Sequence, residues 1–284
     1  MGIDVDYLRT WIGREQVTED SLCVFPARAL GALLDHDERL SAGDALPAAW
    51  QWLYFLDTAK RSKVGKDGHP QKGELLPPIP LPRRMWAAGS LKVHQPLRLG
   101  RAASKKSRVR SVDCKTGKSG ELVFVTLDHE ISQEGGVCID EEQTLVYRPM
   151  PTERPASVPG EQASAVPQFS SAYRADSVDL FRYSALTFNA HRIHYDREYA
   201  TGEEFYPGLV VHAPLLVTLL LNLLHLRVAG EHLTALHFRA LRPTFDLSPV
   251  QLHGAREGRH VKLWTADAEN FVGVSASAEL RRPS

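Results

Sequence analysis

The sequence predicts an α+β protein of two similar halves, each a curved antiparallel sheet wrapped around a long helix. Apolar residues alternate with other residues over 123–131 and again over 272–280, as they do in half-buried strands. The segment 210–226 is apolar on nearly every face, so a helix there must be surrounded by other elements. Residues 90–96 align without a gap on 237–243, and both runs end in proline, which favours an internal duplication.

A proline-rich stretch divides the chain. Residues 149–167 contain five prolines in a Ser/Ala/Glu-rich segment without periodicity, which predicts an extended linker. The expected domains are therefore 1–148 and 168–284. A second irregular region, 65–82, is interpreted as a surface loop whose proline-rich end packs on the protein.

The composition narrows the class of protein. Lys+Arg and Asp+Glu both number 34, and this balance argues against a nucleic-acid partner. The 3 cysteines have no spacing typical of a disulfide framework or a zinc site, which favours a reducing compartment. The most apolar run, 215–224, is too short to span a bilayer, and the N-terminus lacks an apolar signal core. We therefore expect a cytoplasmic protein without a membrane partner.

The segment Tyr183–Asp196 concentrates groups that can do chemistry. It contains Asn189, His191, His194 and Asp196, and the long apolar helix follows shortly afterwards. A histidine can move protons near neutral pH, and backbone N–H groups at a helix N-terminus can stabilise an oxyanion. The combination suits a reaction that transfers a proton while negative charge develops on an oxygen.

On these residues the chain resembles the MaoC-like enoyl-thioester hydratases. The hydratase motif is matched without a gap at five positions: Tyr183, Leu186, Thr187, Ile193 and His194. The segment 208–213 is similar to the Gly-x-x-His-Gly approach into the central helix of that family. The resemblance implies the hotdog fold, here in tandem as a double hotdog.

One branch of the superfamily is more similar than the rest. Residues 50–55, 80–86 and 189–196 resemble mesaconyl-CoA and itaconyl-CoA hydratases and type 2 hydroxyacyl-thioester dehydratases. The resemblance implies a hydro-lyase that adds water to a short enoyl-CoA carrying a carboxylate, with citramalyl-CoA as product. A fatty-acid-type (3R)-hydroxyacyl-thioester dehydratase, an acyl-CoA thioesterase and a non-catalytic acyl-CoA-binding module remain alternatives. The only cofactor expected is the coenzyme A of the substrate, and two chains could pair as a homodimer.

The chain departs from the wider family at three motif positions. Asn189 stands where the family has its catalytic Asp, His191 replaces Asn, and Arg192 replaces Pro. The resemblance therefore makes His194 the expected base, with Asn189 holding the water. The proton donor is left open between His191 and Asp196. An amide at 189 and a cation at 192 should favour an acyl chain that carries its own carboxylate.

Two further groups of residues complete the expected site. Backbone N–H groups at the start of the long helix should form the oxyanion site, around Gly208, Val210, Val211 and His212. The candidate substrate-binding side chains are Arg83, Arg84, Trp86, Arg192 and Tyr206. The two arginines could clamp a CoA phosphate or a substrate carboxylate, or form a solvated pair.

The residues also leave a metal alternative, which we consider weaker. His191, His194 and Asp196 could share an ion, but no third well-spaced His or Cys ligand is evident, so no metal is expected. His212 could pack against the helix N-terminus or face the pocket. The first half lacks an equivalent of the Asn189–His194 motif. We therefore expect one active site per chain, with the first half shaping the acyl pocket.

Overall fold

The computed structural model describes residues 3–117, 120–153, 160–228 and 230–282. Within these residues one antiparallel sheet has the strand order β1-β3-β4-β5-β2-β7-β10-β9-β8-β6. The strands are β1 (Glu15–Asp20), β2 (Arg83–Val93), β3 (Ala103–Gly117), β4 (Gly120–Gln133), β5 (Gly136–Arg148), β6 (Phe169–Tyr173), β7 (His232–Ala240), β8 (Val250–Glu257), β9 (His260–Ala266) and β10 (Val272–Arg281). The α-helices are α1 (Val5–Arg9), α2 (Val24–Leu33), α3 (Ser177–Leu186) and α4 (Ala213–His225).

The strand order is symmetric about its centre, where β2 pairs with β7. Each half contributes the same succession of strands outward from this pair. The sequence alignment matched Ser90 with His237, and these two residues are direct partners across β2 and β7. A residue on a two-fold axis faces its own counterpart, so the pairing is what a duplicated chain should show.

Helix α4 is the central helix of the second half. It packs against β8, β9 and β10, and eight of its thirteen side chains are buried. This surrounding explains why 210–226 is apolar on nearly every face. Its few polar groups are also satisfied: Thr218 donates to the Pro214 carbonyl at 2.8 Å, and Asn222 contacts His36 of the first half at 2.7 Å.

The first half is built differently around its sheet. The ten-residue α2 packs against α3 and against a 3₁₀ turn at Trp50–Leu53. The described chain then runs from 54 to 82 without an α-helix, with a short 3₁₀ turn at Arg61–Lys63. The second half therefore has the long helix that the pattern predicted, and the helix of the first half, α2, is shorter, with ten residues against thirteen.

The irregular segments contact the protein closely. Residues 160–167 lie alongside the start of β10, and the Ala163 N–H donates to the Asn270 carbonyl just before that strand at 3.0 Å. Residues 154–159 lie outside the described residues. In the 65–82 segment, Gly68 has a φ of +93°, and a Cβ there would lie 1.7 Å from the Ala190 carbonyl oxygen. Only glycine permits this approach. The segment is therefore more than the surface loop that the sequence suggested.

No described helix combines the length and apolar character needed to cross a bilayer.

Candidate active site

His194 is the best-placed general base among the predicted residues. It ends a 3₁₀ turn, Arg192–His194, that follows α3, and only 7% of it is exposed. Its Nδ1–H donates to the Val210 carbonyl at 2.7 Å, which leaves Nε2 with a free lone pair. Burial lowers the pKa of His194 to about 3, with the neighbouring His191 acting in the same direction. The imidazole is therefore neutral near pH 7 and able to accept a proton.

His212 fixes the orientation of this base. The two imidazole rings stack at a centroid separation of 3.6 Å and an interplanar angle of 18°. The His212 Nε2 hydrogen-bonds the Ser184 hydroxyl on α3 at 2.9 Å. Burial lowers the pKa of His212 well below its ordinary value, so it adds no charge. Of its two expected roles, the structure therefore favours packing against His194 at the start of α4.

Asn189 lies in the tight turn between α3 and the 3₁₀ turn. Its backbone N–H donates to the Ser184 carbonyl at 2.8 Å, and the preceding Phe188 has a φ of +48°. The Asn189 side-chain oxygen accepts from the His191 backbone N–H at 3.0 Å. Its amide nitrogen makes no hydrogen bond among the described residues, so it can donate to a water or a substrate.

His191 is the better placed of the two candidate proton donors. Its ring stands edge-on to His194 at 5.5 Å, and its Nε2 is 3.5 Å from a carboxylate oxygen of Glu204. Glu204 is buried and accepts from the Arg83 guanidinium at 2.8 Å. Burial alone would raise the pKa of Glu204, but His191 and Arg83 together lower it. The carboxylate can therefore stabilise a protonated His191.

The contacts of Asp196 are unfavourable for a role as proton donor. It accepts two hydrogen bonds from Arg192, at 2.9 and 2.7 Å, and one from the Tyr199 N–H at 3.0 Å. The Tyr199 N–H and then Arg192 lower the pKa of Asp196. Arg192 also stacks on the Tyr199 ring, so its charge is already neutralised and packed. The expected substrate contact of Arg192 and the acid role of Asp196 both lose support.

Three of the other expected substrate contacts belong to the packing instead. Arg83 is only 4% exposed and pairs with Glu204 and the Tyr206 hydroxyl, which joins β2 to the second half. Trp86 donates to the Ala88 carbonyl at 2.9 Å and packs edge-on against Trp52. Arg83 and Tyr206 therefore hold the halves together, as does Trp86 through its contact with Phe238 of β7. Arg84 forms no ion pair with any of the described residues.

The expected oxyanion donors need correction. The Val210 N–H donates to the Ile193 carbonyl at 3.0 Å, and the Val211 N–H donates to the Thr244 carbonyl at 2.8 Å. Neither can serve a substrate oxygen. The backbone N–H groups of His212, the N-cap of α4, and Ala213 have no hydrogen-bond partner among the described residues. These orphan donors are the better oxyanion candidates.

Close packing explains why a glycine occupies position 208. A Cβ at this position would lie 2.7 Å from a carboxylate oxygen of Asp246, which accepts from the Leu209 N–H at 3.0 Å. The missing side chain lets the Asp246 loop support the entry into α4.

Sequence reasoning missed two residues of the first half. The turn at 65–70 brings the His69 ring to 4.0 Å from that of His191, and the Arg192 N–H donates to the Asp67 carbonyl at 2.9 Å. Asp67 also hydrogen-bonds the His69 ring at 2.8 Å. The signal was the acid–histidine pair inside a glycine-rich turn, which composition alone assigns to the surface.

A metal is the other use such a cluster could have. Ligand atoms of Asp67, His69 and His191 lie within 4.8 Å of one another, so these are the residues that could hold an ion. Burial, and after it the charges of Arg84 and His191, lowers the pKa of His69 well below its ordinary value. A cation would meet the same repulsion, and the absence of a metal stays a prediction.

Solved structures share this architecture. A MaoC-like dehydratase from Phytophthora capsici superposes with a TM-score of 0.71 at 13% identity, covering 98% of each chain. A Mycobacterium tuberculosis protein described as having a double hotdog fold superposes with a TM-score of 0.59 at 11% identity, covering 95% of this chain and 96% of its own. The fold is therefore the MaoC-like double hotdog, as the sequence predicted.

Sequence comparison defines the family within this fold. The mesaconyl-C(4)-CoA hydratase of Chloroflexus aurantiacus is 42% identical over 271 residues, covering 95% of this chain and 96% of the relative. The family model of hydroxyacyl-thioester dehydratase type 2 matches residues 49–246. The chain belongs to the hydroxyacyl-thioester dehydratase type 2 family and is a hydro-lyase of the hydratase/dehydratase kind.

Proposed function

We propose that this enzyme adds water reversibly to a short enoyl-CoA that carries a second carboxylate, mesaconyl-CoA or itaconyl-CoA, to give citramalyl-CoA. The observation that carries the proposal is the 42% identity, over nearly the whole chain, to a mesaconyl-C(4)-CoA hydratase. The buried, neutral His194 beside the free amide of Asn189 is the geometry that supports it.

The water is activated between these two side chains. It donates one hydrogen to the His194 Nε2 and accepts a hydrogen bond from the Asn189 amide nitrogen. Its second lone pair then forms the bond to C3 while the C2=C3 π electrons move towards the thioester oxygen. His194 takes the proton in the same step. The lone pair of His194 is held in position by the Nδ1–H bond to Val210.

The developing enolate needs donors that are in place beforehand. The N–H groups of His212 and Ala213 supply them at the start of α4, where the helix dipole also favours negative charge. Protonation at C2 restores the thioester. We assign this proton to His191 in its protonated form, whose positive charge the Glu204 carboxylate at 3.5 Å stabilises before the transfer. The transfer leaves His191 neutral, and the proton that His194 took from the water replaces it, so that both rings return to their starting states.

The test is a mass-spectrometric screen of the purified protein against mesaconyl-CoA, itaconyl-CoA, crotonyl-CoA and a longer enoyl-CoA. Water gained by the carboxylated esters in preference to the plain esters supports the proposal. Free CoA released without a hydrated product would instead assign thioester hydrolysis, a reaction also found on hotdog folds.

The second candidate is a fatty-acid-type (3R)-hydroxyacyl-thioester dehydratase, which the description of the matching family favours. Water gained mainly by crotonyl-CoA and the longer ester would move the assignment to this reaction. The chemistry at His194 would be the same, and only the acyl pocket would differ.

Three related expectations remain proposals. The reaction needs no cofactor beyond the coenzyme A of the substrate, the chains pair as a homodimer, and the enzyme is cytoplasmic. We also propose that the stretch 149–167 is a linker between two domains, 1–148 and 168–284.

A further inference from the structure

The base and the proton donor of the reaction site are held by different halves of the chain. His194, the base, is fixed by the Val210 carbonyl and by the stacked His212 ring, both of which belong to the second half. His191, the assigned donor, is contacted from the first half by the His69 ring, at a centroid separation of 4.0 Å. A substitution in the first half can therefore affect the donor and leave the base in place.

The His191 ring has few polar contacts that could fix its orientation. It is only 4% exposed, its Nε2 forms no hydrogen bond with the described residues, and its ion-pair contact with Glu204 is 3.5 Å long. A proton donor must be held in line with the atom that it protonates, since a displacement of about 1 Å can cost about 10²-fold in rate. Packing must therefore supply much of the orientation of the His191 ring.

The 65–70 turn of the first half attaches to the backbone on both sides of His191. Before His191, the turn approaches so closely that a Cβ added at Gly68 would lie 1.7 Å from the Ala190 carbonyl oxygen and 3.2 Å from the His191 Cα. After His191, the Asp67 carbonyl accepts a hydrogen bond from the backbone N–H of the following residue at 2.9 Å. The turn therefore holds the backbone that carries the donor.

Asp67 also fixes the His69 ring, which extends from the same turn. Its carboxylate accepts from the His69 backbone N–H at 3.1 Å and from the ring Nδ1–H at 2.8 Å. The backbone bond closes a local aspartate turn, and the ring bond sets the tautomer and direction of the imidazole. The His69 side chain is 15% exposed and the Asp67 side chain 21%, so both are largely packed. The His69 ring therefore gives His191 a fixed surface to pack against.

The His69 and His191 rings meet by packing. Their planes are inclined by 42° at the 4.0 Å separation, and no hydrogen bond joins these two described residues. The His194 ring stands at 89° to the His191 ring, 5.5 Å away. His191 thus contacts one imidazole from each half. Removal of the His69 ring would open space beside His191, in which the donor could rotate away from the substrate.

We propose that His69 is a positioning residue for the proton donor: it packs against His191 and keeps that ring directed at C2 of the acyl group, while Asp67 holds His69 in place. The inference rests on the proposed function, because the assignment of C2 protonation to His191 comes from there. It gives the first half a part in the proton transfer itself, beyond the shaping of the acyl pocket.

Steady-state dehydration of citramalyl-CoA tests the proposal in the wild type, His69→Leu, His69→Phe and the control His36→Leu. Leucine fills the space at position 69 without a planar ring, and phenylalanine keeps a ring without nitrogen atoms. His36 is a half-buried histidine of the same half, which stacks on Trp50 at 5.8 Å and hydrogen-bonds Asn222 at 2.7 Å. The control therefore also loses a packed and bonded imidazole.

His69→Leu should lower kcat about 10- to 100-fold and leave KM within about 2-fold, because the position of the donor matters in the transition state. His69→Phe should stay within about 5-fold of the wild-type kcat and His36→Leu within about 2-fold. Citramalyl-CoA with deuterium at C2 identifies the slowed step, since the isotope effect on kcat in His69→Leu should equal or exceed that of the wild type. If His69→Leu does not fold, His69→Phe still tests the role, because a ring without nitrogen atoms must then suffice.

Four results would overturn the positioning role. An unchanged kcat in His69→Leu would leave His69 without a part in the reaction, and a rise in KM alone would make it a substrate contact. A His69→Phe variant as slow as His69→Leu would exclude packing of the ring as the cause, and a smaller isotope effect in the slowed variant would place the loss at a step other than C2 proton transfer.

Failure of the proposed function gives a different result. A wild type that does not dehydrate citramalyl-CoA would reject that substrate, and the same comparison on 3-hydroxybutyryl-CoA would still test His69. A wild type inactive on both thioesters would reject the reaction and the positioning role together.

Discussion

The two halves share a sheet and differ in what they place against it. Outward from the β2–β7 pair both halves have the same strand succession, and Ser90 and His237 face each other at the centre. The second half has the long helix α4 and the Asn189–His194 turn before it. The first half has the shorter helix α2 and an irregular segment, 54–82, which brings His69 and Asp67 close to His191. The two halves of a duplicated scaffold can thus differ in what they contribute: the second half carries the candidate base, and the first half supplies the turn that packs against its neighbour His191.

Loss of the base should have the largest effect. His194→Asn removes the proton acceptor and should lower kcat/KM for mesaconyl-CoA by about 10²- to 10⁴-fold. The matched control is His129→Asn in the first half, a buried histidine bonded to the Ser107 hydroxyl far from the motif. Steady-state kinetics should show near-normal turnover for folded His129→Asn. Comparable losses in both variants would place the chemistry elsewhere.

Substitution of the two adjacent arginines of β2 should change the free energy of unfolding by very different amounts. Arg83→Met leaves the buried Glu204 without its partner and should lower the free energy of unfolding by about 3–5 kcal/mol. Arg84→Met removes a charge that forms no ion pair with the described residues and should stay within about 1 kcal/mol of the wild type. Urea unfolding of both variants checks this, and equal destabilisation would mean that Arg84 also has a structural partner.

Acidification should lower the free energy of unfolding because folding suppresses the protonation of His194. The folded pKa of His194, about 3, lies below its ordinary value of 6.5, so the stabilisation is complete above pH 6.5 and is lost as the pH falls towards 3. The free energy of unfolding should therefore fall on acidification, with His194 contributing about 1.4 kcal/mol per pH unit. His194→Asn should flatten the profile by that amount in urea titrations between pH 6 and 4. Parallel profiles would show that folding does not suppress protonation of His194.

The smallest effect on activity is expected from substitution of the Asn189 side-chain amide. Asn189→Asp restores a carboxylate beside the water and should repel an acyl carboxylate, lowering kcat/KM for mesaconyl-CoA about 10-fold more than that for crotonyl-CoA. The ratio of the two constants is the measurement. Equal effects on both substrates would remove charge at position 189 as a reason for selectivity.

The sequence predicted what depends on local pattern. Alternation identified the strands, the apolar run identified α4, and the motif placed Asn189, His191 and His194 in one turn. It failed where distant backbone segments decide the outcome. The Val210 N–H donates to the Ile193 carbonyl, so this predicted oxyanion donor is not available to a substrate.

The contacts of His191 with the first half could not be predicted from the sequence for the same physical reason. Gly68 allows the 65–70 turn to approach the Ala190 carbonyl, and a contact so distant in sequence leaves no periodic trace. Arg83 and Arg84 look equivalent in the sequence. The position of Glu204 makes Arg83 part of a buried ion pair, whereas Arg84 forms no ion pair with the described residues.

Isotope labelling can follow the addition of water across the acyl double bond and its dependence on His194. Mesaconyl-CoA would be incubated with the wild type and with His194→Asn in ¹⁸O-labelled water, and the intact thioester analysed by mass spectrometry. We expect the wild type to form citramalyl-CoA with one labelled hydroxyl and the variant to form it about 10²- to 10⁴-fold more slowly. Label found in a free carboxylic acid, with release of CoA and no labelled thioester, would contradict it.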